Sequence, residues 1–369
     1  MKIRTITLFY NFKEYKIKKN LIRKIENIKR IHNDAKEKNF TVQTLRLSTN
    51  VASLNIDFRT KNSIIKDLQE ILKEQKIEFF NIGKVNHLEI NKTIKIFEKF
   101  NVSAFFEIDT GYFDEKSLIK GAKLIKELSY INPLKNFNFG ISFNIPSGTP
   151  FFPSSFSTKD GFSIGFENGD LLQNIFKNVK NFSEIENKLE KDLYQRYKLF
   201  ENFFEKESKK RNLEFLGLDL SFAPGIKKSE SVYEAFYILK KNILRKNLND
   251  ISIAGAITTA LKNLKIKKTG YCGLMLPLSE DYRLSKMSFE NSIRIKDLLL
   301  LSSVCGCGID TVPISIDSKN EFIESLIIDS YTISKKWKKP LQLRVLPVHN
   351  KEIVMFNSKY LLKTKFLKY

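Results

Sequence analysis

Cysteine is scarce in this chain of 369 residues: Cys272, Cys305 and Cys307 are the only three. They are too few for the disulfide framework of small exported domains, and the Cys-Gly-Cys spacing is too close for an unstrained bridge. A reducing compartment is therefore the expectation. The longest apolar run, around Leu298 to Leu301, is far short of the roughly twenty residues that cross a bilayer, so no membrane span is expected. The opening MKIRTITLFYNF has neither a long apolar core nor a small-residue cleavage site, and it reads as the first strand of a cytoplasmic protein. Imidazole is confined to His32, His87 and His349. No complete G-x-G-x-x-G fingerprint, Walker A loop, H-E-x-x-H helix or paired C-x-x-C ribbon occurs, so no cofactor or metal is assigned.

Positive charge is plentiful: Lys and Arg number 63 against 41 acids, a net charge of +22. Such a balance attracts phosphate non-specifically. Lysine, however, is abundant together with Ile, Asn and Phe, and the lysines fall mostly on the polar sides of helical segments. That pattern describes a solvated surface better than a nucleic-acid site. The basic tail KYLLKTKFLKY, residues 359–369, is the best place for a weak electrostatic contact. At 42% hydrophobic and 28% charged residues the composition is that of a globular protein, and the length suits two ordinary domains or one large α/β barrel.

Apolar periodicity alternates between that of strands and that of helices. Strands are predicted at Ile3 to Phe9, from Phe40, from Ile77, over Val102 to Asp109, up to Ile145, from Phe162, from Leu213, from Gly270, in GIDTVPIS and in LQLRVLPV. Helices fall between most of them, with Asp114 placed to cap one. The Pro/Gly/Ser-rich stretch PSGTPFFPSSF after Ile145 reads as a stiffened loop. The longest helical region covers about 170–211, with a break near 181–183. Its aromatics Tyr194, Tyr197, Phe200, Phe203 and Phe204 point to helix packing or a homo-oligomer contact. Alternating β and α with no internal linker predicts one parallel α/β domain spanning 1–369, with 170–211 as a helical excursion.

In parallel α/β folds the pocket lies at the C-terminal strand ends. Those ends gather Glu107, Asp109, Asp219, Ser221, Glu280, Asp281 and Asp310, with Arg46 and Arg344 in or near strands. Paired carboxylates can serve as acid and base or hold a hard cation, and each can equally be a helix cap or a solvated loop charge. The arginines offer planar forks for a substrate anion or for internal ion pairs with the same acids. Cys305 and Cys307 flank Gly306, so a tight turn could bring a thiol to a cavity; such a thiol needs an activating base, and no histidine is near in sequence. Buried structural thiols are the alternative, and Cys272 reads as core.

Four segments in order, NIPSGTPFFPSSF with GFSIGFE, LGLDLSFAPGIKKSESV from Leu216, GLMLPLSEDYRL from Gly273 and SVCGCGIDTVPI from Ser303, resemble the family called domain of unknown function 711. The resemblance extends from IRTITL to RVLPV. It implies a ten-stranded α/β barrel similar to pyruvate formate-lyase and other glycyl-radical enzymes, which agrees with the ten predicted strands. Cys305 matches the family's V-C-x-x-G-[LI]-D motif, whereas Cys307 looks particular to this chain. Gly308 is the last glycine, and RVLPVH has none to oxidise, so glycyl-radical chemistry is not expected. The resulting expectation is an enzyme acting on a small anionic or polar metabolite. Cys305, Asp219, Glu280 and Asp281 would be its catalytic candidates, and Arg46, Ser221 and Arg344 its substrate contacts. The alternative is a non-catalytic metabolite-binding or regulatory protein on the same barrel.

Overall fold

Stretches rich in β-branched and aromatic residues fold as the strands of one mostly parallel sheet. The computed structural model describes residues 2–13, 19–86, 89–243, 248–349 and 352–369. Its main strands are β1 (Lys2–Tyr10), β2 (Val42–Thr49), β3 (Phe79–Val85), β4 (Ser103–Glu107), β5 (Phe139–Phe143), β6 (Gly161–Glu167), β7 (Phe215–Asp219), β8 (Gly308–Ser315) and β9 (Leu341–Val348). Their order across the sheet is β7-β6-β1-β2-β3-β4-β5-β9-β8. Strands β1 to β5 are mutually parallel, as are β6 with β7 and β8 with β9. The sets meet antiparallel at β1/β6 and β5/β9.

Parallel neighbours need long crossovers, and helices supply them. The helix Lys19–Glu37 buries Leu21, Ile25, Ile28 and Ile31 along one stripe, and Phe58–Glu74 buries Ile64, Ile65, Leu68 and Leu72. Asp114 caps Glu115–Ile131 by accepting from the amides of Lys116 and Ser117. The long helical region divides as expected into Gly169–Phe176 and Ile185–Arg211, separated by a short 3-10 turn. Tyr197, Phe200 and Phe204 are buried against Phe166 and Phe215 of the chain's own sheet, so packing accounts for these three aromatics.

The expected ten-stranded closed barrel is corrected to a nine-stranded sheet that is not closed. The stretch from Gly270, read as a strand, makes only isolated bridges: Leu218 with Lys268 and Phe222 with Leu274 on the β7 side, and Pro277 with Asp310 on β8. Its residues explain the irregularity. Gly270 and Cys272 adopt φ of 72° and 47°, outside the extended region, and Pro277 has no amide to donate. The two edge strands are nonetheless both covered by this one segment.

The stiffened loop at 146–157 runs inside the curve of the sheet, where several strands grip it through polar groups. Thr7 Oγ1 donates to the Pro150 carbonyl, Ser48 Oγ to Ser155, Asn81 Nδ2 to Pro153 and Ser163 Oγ to Gly148, while Ser142 and Ser154 share a hydroxyl bond of 2.6 Å. These hydroxyls and amides replace water as partners for a buried backbone that would otherwise be unsatisfied. Gly165 makes room for the loop: a Cβ there would sit 2.6 Å from the Phe151 ring.

The C-terminal tail, read from the sequence as a basic segment suited to a weak electrostatic contact, folds back on the chain. Ile353–Val354 pairs with Thr364–Lys365, and the Leu362 amide donates to the Ser279 carbonyl at 2.7 Å. Among the described residues no helix is long and apolar enough to cross a membrane.

Candidate functional site

A cavity of about 430 Å³ opens at one end of the sheet. It is lined from the starts of the first strands, by Lys2 and Arg4 of β1, Thr44 and Arg46 of β2 and Phe79 of β3, and by Phe137 just before β5. Because β6 runs antiparallel to β1, the end of β6 reaches the same place and contributes Glu167. Asp310 of β8 and Gln342 and Arg344 of β9 complete the wall, with Glu280, and Phe151 and Phe152 of the interior loop also contribute.

Most of the charge here is spent internally. Arg344 grips Asp310 with Nε and Nη2 and reaches Glu280 Oε1 with Nη2 at 2.7 Å; its Nη1 donates to the Phe137 carbonyl at 2.9 Å. Burial works against this guanidinium's charge, but Asp310 and Glu280 outweigh it and hold the pKa above the ordinary value. Arg4 donates to the other oxygen of Glu280 at 2.8 Å and lies 3.6 Å from Glu167, and Lys2 bridges Glu230 and Glu167. Among the described residues the four carboxylates of the cavity are thus all paired.

Arg46 is the exception. Its Nε donates to Thr44 Oγ1 at 3.1 Å, and the Phe79 and Phe152 rings lie 4.8 and 5.2 Å from its guanidinium carbon. Among the described residues no carboxylate pairs with it. Desolvation, followed by the field of Arg4, pushes its pKa down to about 9. A guanidinium is the last side chain to release its proton, so this pressure expresses a demand for a negative partner. Lys227 and Lys359 also line the cavity without a carboxylate partner among the described residues. Among the described residues six cations therefore face four carboxylates.

The backbone beside Asp310 is strained. Thr311 is fully buried with φ of 46°, a left-handed conformation that a β-branched residue rarely adopts. The β8–β9 register shifts between Ile309 and Val312, and this irregularity sets the aim of Asp310 at Arg344.

Of the candidates read from the sequence, Arg46, Arg344, Glu280 and Asp310 meet in this cavity. The others lie elsewhere, for identifiable reasons. Glu107 ends β4 at the opposite end of the sheet, where it pairs with Lys84, and Asp109 lies just beyond it and accepts from the Gly111 amide. The assumption of one shared C-terminal edge fails because the antiparallel junctions put the cavity at the N-terminal ends of β1 to β5.

Asp219 does not line the cavity. It accepts from the Ser221 amide and hydroxyl, the Tyr271 amide and the Cys272 amide, and burial pushes its carboxyl up against these donors. Ser221 in turn accepts from the Gly273 amide. Both residues fix the segment that delivers Tyr271 to the wall. Asp281 caps two helix starts at once, accepting from Arg283 and Leu284 and from Ser231, Val232 and Tyr233.

Cys305 is corrected as well: it belongs to the main apolar core and not to the cavity wall. Its amide donates to Leu301 at 2.7 Å, tucking it under the preceding helix, while Gly306 packs against Gly273 so closely that a Cβ would lie 2.7 Å from the Gly273 Cα. Cys307 lines the wall instead, and burial raises its thiol well above the ordinary pKa, which leaves it protonated. His32 and His349 line no part of the cavity, and His87 lies outside the described residues. The sequence reading missed Lys2, Arg4, Tyr271, Lys359 and Tyr360. The signal for the first two was present, as cations alternating with apolar residues along an otherwise buried strand.

Comparison with known proteins adds the family. The family model described as "Uncharacterised ACR (DUF711)" matches residues 1–354. A UPF0210 protein of Lactobacillus helveticus is 24% identical over 247 residues, covering 63% of this chain and 54% of its own length. A UPF0210 protein of Methanopyrus kandleri is 22% identical over 224 residues, covering 57% and 48%. The chain spans about half the length of the curated relatives it matches.

Proposed function

The chain belongs to the DUF711 family, and from that premise we propose that it binds a small organic anion in the cavity at the start of β1 to β5, with Arg46 as its anchor. The observation carrying this reading is a guanidinium whose faces meet Phe79 and Phe152 while its terminal nitrogens have no carboxylate partner. With the flat faces covered and Nε spent on Thr44, only the Nη edge is left to receive a carboxylate or phosphate. In this reading the segment 267–278 serves as an irregular tenth stave, turning the nine-stranded sheet into a barrel around the ligand.

Binding without turnover is the form the cavity supports best. Glu280 and Asp310 are tied to arginines and the Cys307 thiol stays protonated, so an enzymatic role would require an ion pair to open before a base became free. The test is thermal unfolding with a panel of small carboxylates and phosphates. An anion at a hundredfold excess over its Kd stabilises the wild type by about 2.7 kcal/mol, and Arg46→Ala abolishes that shift. An Arg46→Ala variant that retains it sinks the assignment, and product formation from a bound anion would restore the enzymatic reading.

A further inference from the structure

Two members of the cavity wall, Lys359 and Tyr360, come from beyond residue 354, where the family match ends. We infer that the C-terminal hairpin completes the anion site, and that the ligand is a phosphate monoester carried on a flat apolar body. This rests on the reading that Arg46 holds an anion, and it adds both the charge and the shape of that anion.

The charge follows from the cavity wall. Lys2, Arg4 and Arg344 are consumed by the four carboxylates, and Arg46, Lys227 and Lys359 are left over. Among the described residues six cations against four carboxylates give the cavity a surplus of two positive charges, with the exposed Lys227 and Lys359 at its rim. A monocarboxylate compensates one; a phosphate monoester above its second pKa of about 6 approaches both. The shape follows from the rings. Tyr360 meets the Phe79 ring at 6.1 Å, the same ring that covers Arg46, and lies within 12° of parallel to Phe137 at 6.3 Å. The Lys359 ammonium stands 5.0 Å over the Tyr360 ring, so the hairpin presents a cation and an aromatic surface together. The Leu362 amide anchors the hairpin to Ser279, the neighbour of Glu280.

Calorimetric titration of the full chain with phenyl phosphate, benzoate and inorganic phosphate, at pH 8 and low salt, tests this. Wild type binds phenyl phosphate roughly tenfold more tightly than either other probe, as expected for one further charge contact and one ring contact. Lys359→Ala removes most of the preference over benzoate, and Tyr360→Leu most of the preference over inorganic phosphate. Lys359 is exposed and without an ion pair among the described residues, so its loss leaves the fold intact, and melting without ligand verifies this for both variants. Equal binding of benzoate and phenyl phosphate overturns the dianion. Wild-type affinity in both hairpin variants, with binding lost in Arg46→Ala, overturns the role of the hairpin and leaves the anion site standing. No binding of any probe to the wild type overturns both.

Discussion

Asp219 shows how a residue at a strand end can serve construction instead of chemistry. Four donors converge on it, and Gly270 makes the approach possible, since a Cβ there would lie 2.1 Å from Asp219 Oδ2. Its folded pKa is raised above the ordinary 3.8. The stability it contributes is therefore fully present below that ordinary value and is lost as pH rises through the folded one. Asp219→Asn turns an amide NH₂ toward at least one of these donors and costs roughly 1–3 kcal/mol at neutral pH. The asparagine does not titrate, so the gap to wild type widens as pH falls toward 4. Urea midpoints across that range measure it, and a narrowing gap contradicts the sign. Sequence alone marked Asp219 and Asp281 as acids at element ends, but could not distinguish a carboxylate facing a cavity from one facing five backbone and hydroxyl donors.

At the level of elements, periodicity located most of the helices and nine of the strands, because each buries a stripe or face whose spacing is visible in one dimension; the short helix Tyr282–Phe289 falls where SEDYRL reads as an acidic loop. It failed for the stretch from Gly270, where apolar composition is strand-like but positive φ at Gly270 and Cys272 breaks the ladder. Strand direction was also invisible. Nothing in FSIGFE or LQLRVLPV signals that β6 runs against β1 and β9 against β5, and that reversal decides which ends converge. The bulge in β8 has its own test. Thr311→Gly removes a β-branched residue from a left-handed conformation and a buried hydroxyl without a hydrogen-bond partner. It should raise stability by roughly 1 kcal/mol, the strain relief exceeding the entropy cost of glycine. A lowered urea midpoint would show that the bulge is not strained.

Over the whole molecule the net charge of +22 invites a nucleic-acid reading, yet three cations without a carboxylate partner among the described residues, Arg46, Lys227 and Lys359, line a cavity of about 430 Å³. A concave basic site concentrates small anions from solution, and added salt screens that attraction over about 10 Å at 0.1 M. Anion affinity should therefore fall between 20 and 300 mM salt, but less steeply than at a fully exposed site because Arg46 is desolvated between Phe79 and Phe152. Elution of the protein with RNA at low salt should match elution without it. A shifted RNA-bound peak would return the lysine-rich surface to consideration.

The segment 146–157 has the composition that engineers favour for splicing in a foreign peptide, rich in proline, glycine and serine. Its burial reverses that advice. A tag placed after Ser154, which is fully buried, would have to pass through the middle of the molecule and should leave little protein in the soluble fraction. The same tag at Tyr112, three-quarters exposed on its turn, should be carried without harm, so a yield comparison between the two insertions reports whether the chain is wound around its own middle.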